Sequence, residues 1–236
     1  MFWEEEKDEN TPFVVPDDVV DLVYSIKCKC LPLDHAYSFS SALRAALPWI
    51  DGEARAGIHL IHGAESGNGW MRPEDPSSEL LHLSKRARMT LRLPKHRVEA
   101  AQTLTGQTLD VDGYTLEVGR SKVKLFSTLS TQFARYVVIP ENVSHDDEAA
   151  FVELAVAQFK ALNIKVRKLL CGRAHALQHP DGNLYTRSIM LADLEVEEAI
   201  TLQQEGIGAH RTMGCGLFLP HKGIKAVHQM TADKNS

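Results

Sequence analysis

Cysteine is scarce in this chain of 236 residues: there are four, and no two form a C-x₂-C pair. Cys28 and Cys30 stand one residue apart, and Cys171 and Cys215 are isolated. That spacing argues against a disulfide framework and a structural zinc site alike. Long apolar runs are missing too, so no segment is expected to cross a bilayer. The first ten residues, MFWEEEKDEN, are acidic, opposite in sign to a secretory signal, which makes the cytoplasm the expected compartment. There is no evident carboxylate cluster, and the histidines are scattered without metal-ligand spacing, so neither a metal nor a cofactor is expected. Two familiar phosphate motifs fail on their letters. The glycine-rich stretch GIGAHRTMGCG, residues 206–216, is followed by Leu217 and Phe218, where a Walker loop needs Lys and then Ser or Thr. The dinucleotide fingerprint fails because Arg211 or Leu219 occupies the place of its third glycine and no helix pattern follows.

What is present is the composition of a globular protein, 44% hydrophobic and 24% charged, long enough for one large or two small domains. The charge is uneven. Seven acids and Lys7 give residues 1–18 a net charge of −6, so the remaining chain carries +1 of the overall −5. A local basic face is therefore compatible with an acidic protein. Two runs could supply it: Lys85, Arg86, Arg88 and Arg92, and Lys165, Arg167, Lys168 and Arg173. Alternation puts Arg86 and Arg88 on one face of a strand and Lys85 on the other.

Taken in order, residues 1–18 form an acidic leader. DLVYSIKCKCLP (21–32) alternates as a strand with Lys27 and Lys29 on its polar face. Asp34 is the expected N-cap of a helix running to Pro48, with His35, Tyr37 and Ser38 at its start. Further strands are expected at 57–62, from His82 onward, and on both sides of the Asp112–Gly113 turn, with a short helix over 95–106. SGNGW (66–70) reads as a turn. SKVKLFSTL, from Ser121, closes the first sheet or links the two halves. After that the pattern repeats: a strand at 133–140, a helix over about 146–162, strands at 165–170 and after the HPDGN turn, and a helix closed by Gly206. The sum is an α+β protein of two tandem ferredoxin-like (RRM-like) βαββαβ domains, residues 19–125 and 126–236, with a C-terminal glycine-rich loop between the last helix and the last strand. Gly206, Gly208, Gly214 and Gly216 would let that loop approach a ligand and offer N–H groups to phosphate oxygens.

Two stretches carry a family resemblance: GIGAHRTMGCGLFLP near the C-terminus and LPLDHAYSFSSALRAALP near the N-terminus. With them, the chain resembles the CRISPR-associated endoribonucleases that cut precursor crRNA within each repeat, the sixth family of the Cas series, and in particular its Myxan-type branch. The resemblance covers nearly everything from Val19 onward. It implies a metal-independent transesterification in which the 2′-OH of the RNA attacks the neighbouring phosphorus, leaving a 2′,3′-cyclic phosphate and a 5′-OH. It also implies CRISPR repeat RNA as partner, with other interference-complex subunits as further candidates, no membrane and no DNA substrate. His35 matches the family's usual catalytic histidine, with Tyr37, Ser38 and Lys29 as assistants. His210 is the rival for proton transfer, and Arg211 is expected to position a phosphate. The alternative is a non-catalytic RNA-binding scaffold of the same fold.

Overall fold

The alternation over residues 21–32 becomes two strands in the computed structural model, which describes residues 13–62 and 80–222. β1 (Val19–Lys27) buries Leu22, Tyr24 and Ile26 and turns Ser25 and Lys27 outward. The chain then breaks step, and β2 (Cys30–Pro32) leaves the main sheet to pair with β4 (Leu80–His82). Between them lie α1 (Ala36–Ala46) and β3 (Gly57–His59). α1 buries Phe39 and Leu43, and its end falls just before Pro48, which has no N–H to continue it. The expected cap is corrected: His35, not Asp34, is the N-cap, and it makes no side-chain capping bond. The Asp34 carboxylate instead accepts the Gln178 N–H at 2.8 Å, tying α1 to the second half of the chain. The SGNGW stretch lies outside the described residues.

The strand read from His82 is also two: β5 (Arg88–Pro94) is separated from β4 by a turn. A 3₁₀ turn and α2 (Val98–Gln102) follow, then β6 (Thr108–Val111) and β7 (Tyr114–Lys124). Asp112 and Gly113 both take positive φ at the hairpin tip, as a tight two-residue turn requires. The antiparallel order is β3-β5-β1-β7-β6, which is the ferredoxin-like order with β6 added at one edge.

The second half repeats the plan. β8 (Gln132–Val138) leads to α3 (Glu148–Ala161), where the Asp147 carboxylate accepts the Ala150 N–H at 3.0 Å. β9 (Lys168–Leu177), β10 (Leu184–Ala192), α4 (Val196–Glu205) and β11 (Leu219–Pro220) complete it, in the order β11-β8-β10-β9. A reciprocal capping box between Glu195 and Glu198 starts α4, and Gly206 at φ 60° ends it. No helix among the described residues is long and apolar enough to cross a membrane.

Arg92 joins the two halves and is a correction to the expected RNA track. It is fully buried, with its guanidinium forked onto Asp21 (2.9 and 3.2 Å) and Nη1 donating to the carbonyls of Gln203 (2.6 Å) and Phe218 (3.0 Å). A side chain with no exposed surface cannot reach a phosphate. Beside this seam, Ala36, Leu177, Met213 and Cys215 form a small apolar cluster uniting the start of α1, the end of β9 and the glycine-rich loop.

Candidate active site and nucleic-acid interface

That apolar cluster draws three polar rings together above it. The Tyr37 ring meets His179 edge-on at 5.2 Å, and His179 lies 6.1 Å from His210. They come from α1, the β9–β10 connection and the glycine-rich loop, which the chain brings to one place by packing its halves. A cleft of about 420 Å³ opens on one side, lined by Arg44, Asp51, Glu53, His179 and His210. The histidines have distinct environments. The Asp181 N–H points at Nδ1 of His179 (3.3 Å), which makes Nδ1 the acceptor in the neutral ring and puts the proton on Nε2. The Asp181 carboxylate is 3.6 Å from the same nitrogen. Burial, and secondarily the charge of His179, pull the His210 pKa below the ordinary histidine value, so its ring is neutral at neutral pH.

His35 is placed differently. It is 3% exposed, with Nδ1 3.0 Å from the Pro32 carbonyl and Nε2 accepting the Ile61 N–H at 3.2 Å. Proton transfer to a substrate needs a ring nitrogen that the substrate can reach. Both nitrogens here are held by backbone, and the ring pins the β2–α1 connection to the segment after β3. The Ser38 hydroxyl donates to the His35 carbonyl at 3.3 Å. Tyr37 is 37% exposed and belongs to the cluster. Lys29 is exposed beside the β2–β4 pair, where its carbonyl accepts the Leu83 N–H at 2.9 Å.

The glycine-rich loop closes mostly on itself. The N–H groups of Ile207, Met213, Gly214, Cys215 and Gly216 bond to carbonyls, and that of Gly208 to the Gln158 side chain. Its glycines answer packing demands. A Cβ on Gly216 would sit 1.9 Å from the Ile207 carbonyl oxygen, and one on Gly206 would sit 2.1 Å from that of Gly216. Gly214 presses against Leu60 of the first half. The expectation that Gly206, Gly214 and Gly216 cradle a phosphate is therefore corrected. Gly208 is exposed, and a Cβ there would be only in ordinary contact with Val137 at 3.8 Å. Arg211 is corrected as well: its guanidinium donates to the carbonyls of Arg55 (3.2 Å), Ala56 (3.2 Å), Gln204 (3.0 Å) and Glu205, capping α4. Burial, and next the charge of Arg92, lower its pKa to about 10, still charged at neutral pH.

The basic runs do not converge on the rings. Arg86 and Arg88 are exposed at the β4–β5 turn near Lys29, and Nη1 of Arg88 donates to the Lys85 and Ala87 carbonyls. Lys165, Arg167 and Lys168 stand at the opposite end of β9 from His179, about 30 Å away along an extended strand. Arg167 is held by Glu195 (3.1 Å) and Glu198 (2.5 Å), and Lys168 by Asp193 (2.7 Å). His179 is the residue that the sequence reading passed over. It sat in the expected HPDGN turn, and only the docking of that turn against Tyr37 and His210 distinguishes it. Among the described residues no group of three or more His, Cys, Asp or Glu could hold a metal ion.

Comparison with known proteins adds an independent line. A family model described as Cas6 Crispr matches residues 20–223. A CRISPR-associated endonuclease Cas6 of Myxococcus xanthus (strain DK1622) is 31% identical over 201 residues, covering 85% of this chain and 81% of that protein. Among solved structures, a CRISPR associated protein Cas6 superposes with a TM-score of 0.58 at 11% identity, over 86% of this chain and 100% of its own. A RAMP protein described as binding different RNA substrates superposes with a TM-score of 0.54 at 13% identity, over 86% and 100% of the two chains.

Proposed function

The chain belongs to the Cas6 CRISPR family, and from that membership we propose that it is an endoribonuclease that binds CRISPR repeat RNA and cuts precursor crRNA within each repeat, without a metal. The observation that carries the chemistry is the Tyr37–His179–His210 cluster at the junction of the two halves. In this reading His210, neutral at working pH, takes the proton of the 2′-OH as its oxygen attacks phosphorus. The bond from phosphorus to the 5′-oxygen breaks, and that oxygen receives a proton from Nε2 of His179 in its imidazolium form, whose Nδ1–H faces the Asp181 carboxylate and which is left as neutral imidazole. The products are a 2′,3′-cyclic phosphate and a 5′-OH. Each proton transfer is worth roughly 10²–10⁴-fold. Tyr37 holds the plane of His179 through its edge contact. Exposed Lys29, Arg86 and Arg88 make backbone phosphate contacts and supply affinity rather than chemistry.

The relative from Myxococcus xanthus is described as an endonuclease, which supports an enzyme over a scaffold. The direct test is incubation of an end-labelled repeat RNA in excess EDTA, beside the same RNA with one 2′-deoxy substitution at the cut site. Cutting of the first alone, leaving a cyclic phosphate, is the expected result. Binding of both with no new ends would establish the scaffold role, and loss of cutting in EDTA would point to a metal-dependent nuclease.

A further inference from the structure

On the far side of the histidine pair is a second cavity, of about 580 Å³, and we propose that it seats an unpaired guanine base of the bound RNA, an inference that rests on the RNA-cleaving reading above. Its walls are the loop after β8, with Glu141 and His145, the β9–β10 connection, with Asp181, and the start of β10, with Tyr185. The His145 and Tyr185 rings are stacked, 4.5 Å between centroids and 11° from parallel. They are not sealed from solvent: Tyr185 is 39% exposed and the His145 side chain 48%. The platform is also fixed from below. Buried Arg187 donates to the His145 carbonyl at 3.0 Å and to the Gly172 carbonyl at 2.9 Å. A flat pair of rings held in place is how single-stranded RNA bases are received, by stacking.

The charge of the walls selects the occupant. Among the described residues that line the cavity there is no lysine or arginine, while Glu141 and Asp181 bring two carboxylates. A phosphate would be repelled, and a neutral ring with hydrogen-bond donors would not. Guanine presents N1–H and the N2 amino group side by side, a pair of parallel donors that matches one carboxylate. Adenine and cytosine offer an amino group flanked by a ring acceptor, and uracil an N–H between two carbonyls, so a carboxylate meets repulsion at each. The cavity also reaches His179 and His210, so a base seated there lies beside the phosphate to be cut.

The probe is a fluorescent uridine dodecamer, 2′-deoxy-substituted to block cutting, with its central base uracil, guanine, hypoxanthine, adenine or cytosine, and binding is read by anisotropy. The wild type is expected to bind the guanine dodecamer about tenfold more tightly than the uracil one. Hypoxanthine, which lacks the N2 amino group, is expected to lose most of that preference. Tyr185→Ala and Glu141→Gln should abolish it, while Tyr185→Phe keeps the ring and should retain it. Equal binding of all five by the wild type would overturn the guanine seat and leave RNA binding intact, as would a preference indifferent to these substitutions. If neither a dodecamer nor repeat RNA binds, the underlying reading falls with it.

Discussion

His210 and Arg211 are neighbours in the chain and opposite in fate. Arg211 turns inward to four backbone carbonyls and closes the seam where Arg92 and Asp21 are buried. His210 turns outward at a left-handed backbone position and meets His179 in the open cleft. The seam spends its charges on holding two ferredoxin-like units in register, and the cleft keeps its polar groups reachable. Histidine shows the same division. His35 is bound through both ring nitrogens, whereas His179 sits where a substrate can meet it. The lesson is that residue type and motif membership do not tell a clamp from a chemical group. Exposure and partner count do.

The largest stability effect expected of the seam comes from Arg92→Ala. It leaves Asp21 charged and uncompensated in a buried place, at a cost of about 3–5 kcal/mol. A urea unfolding midpoint changed by less than a quarter of the wild-type value would mean that the seam is not a clamp. His35→Ala ranks next, because it strands the Ile61 N–H and the Pro32 carbonyl, at about 1–3 kcal/mol. On the folded fraction its cleavage rate should stay within a few-fold of wild type.

The pH dependence sharpens the same division. Burial lowers the pKa of His59 in the seam, despite the opposing pull of Asp21. Burial would raise the Asp21 carboxyl, but Arg92 and His59 reverse this and hold it below the usual carboxylate range. Both groups bind protons more readily unfolded than folded, so stability rises with pH over these windows. It should therefore begin to fall as pH drops below about 6.5, and fall further below about 4. A melting temperature flat from neutral pH down to the carboxylate range would contradict this. The smallest effect is expected from Lys168→Ala, far from both regions. Its exposed pair with Asp193 is worth less than about 1 kcal/mol, and cleavage should not change.

The fold was legible because apolar periodicity and turn chemistry are local. Leu22, Tyr24 and Ile26 announced β1, Asp112–Gly113 the β6–β7 hairpin, and Gly206 the end of α4, and the double βαββαβ order followed from them. The break between β1 and β2 was hidden because the alternation of Lys27, Cys28, Lys29 and Cys30 runs on past the point where the backbone leaves the sheet. The site was legible only in part. Tyr37 and His210 sit in stretches that drew notice by themselves. His179 gave no local signal, since its importance arises from contacts with residues more than a hundred positions before it and about thirty after it. Arg92 and Arg211 misled for the converse reason. A sequence reports charge but not whether water can reach it.

Single-turnover cleavage of labelled repeat RNA by His179→Ala, His210→Ala and His35→Ala, each confirmed folded and RNA-bound, tests the central claim most directly. Proton transfer by the cleft pair requires losses of roughly 10²–10⁴-fold for His179→Ala and for His210→Ala, with His35→Ala near wild type. The reverse pattern, His35→Ala inactive and the cleft variants still cutting, would contradict it and return the chemistry to the histidine at the start of α1.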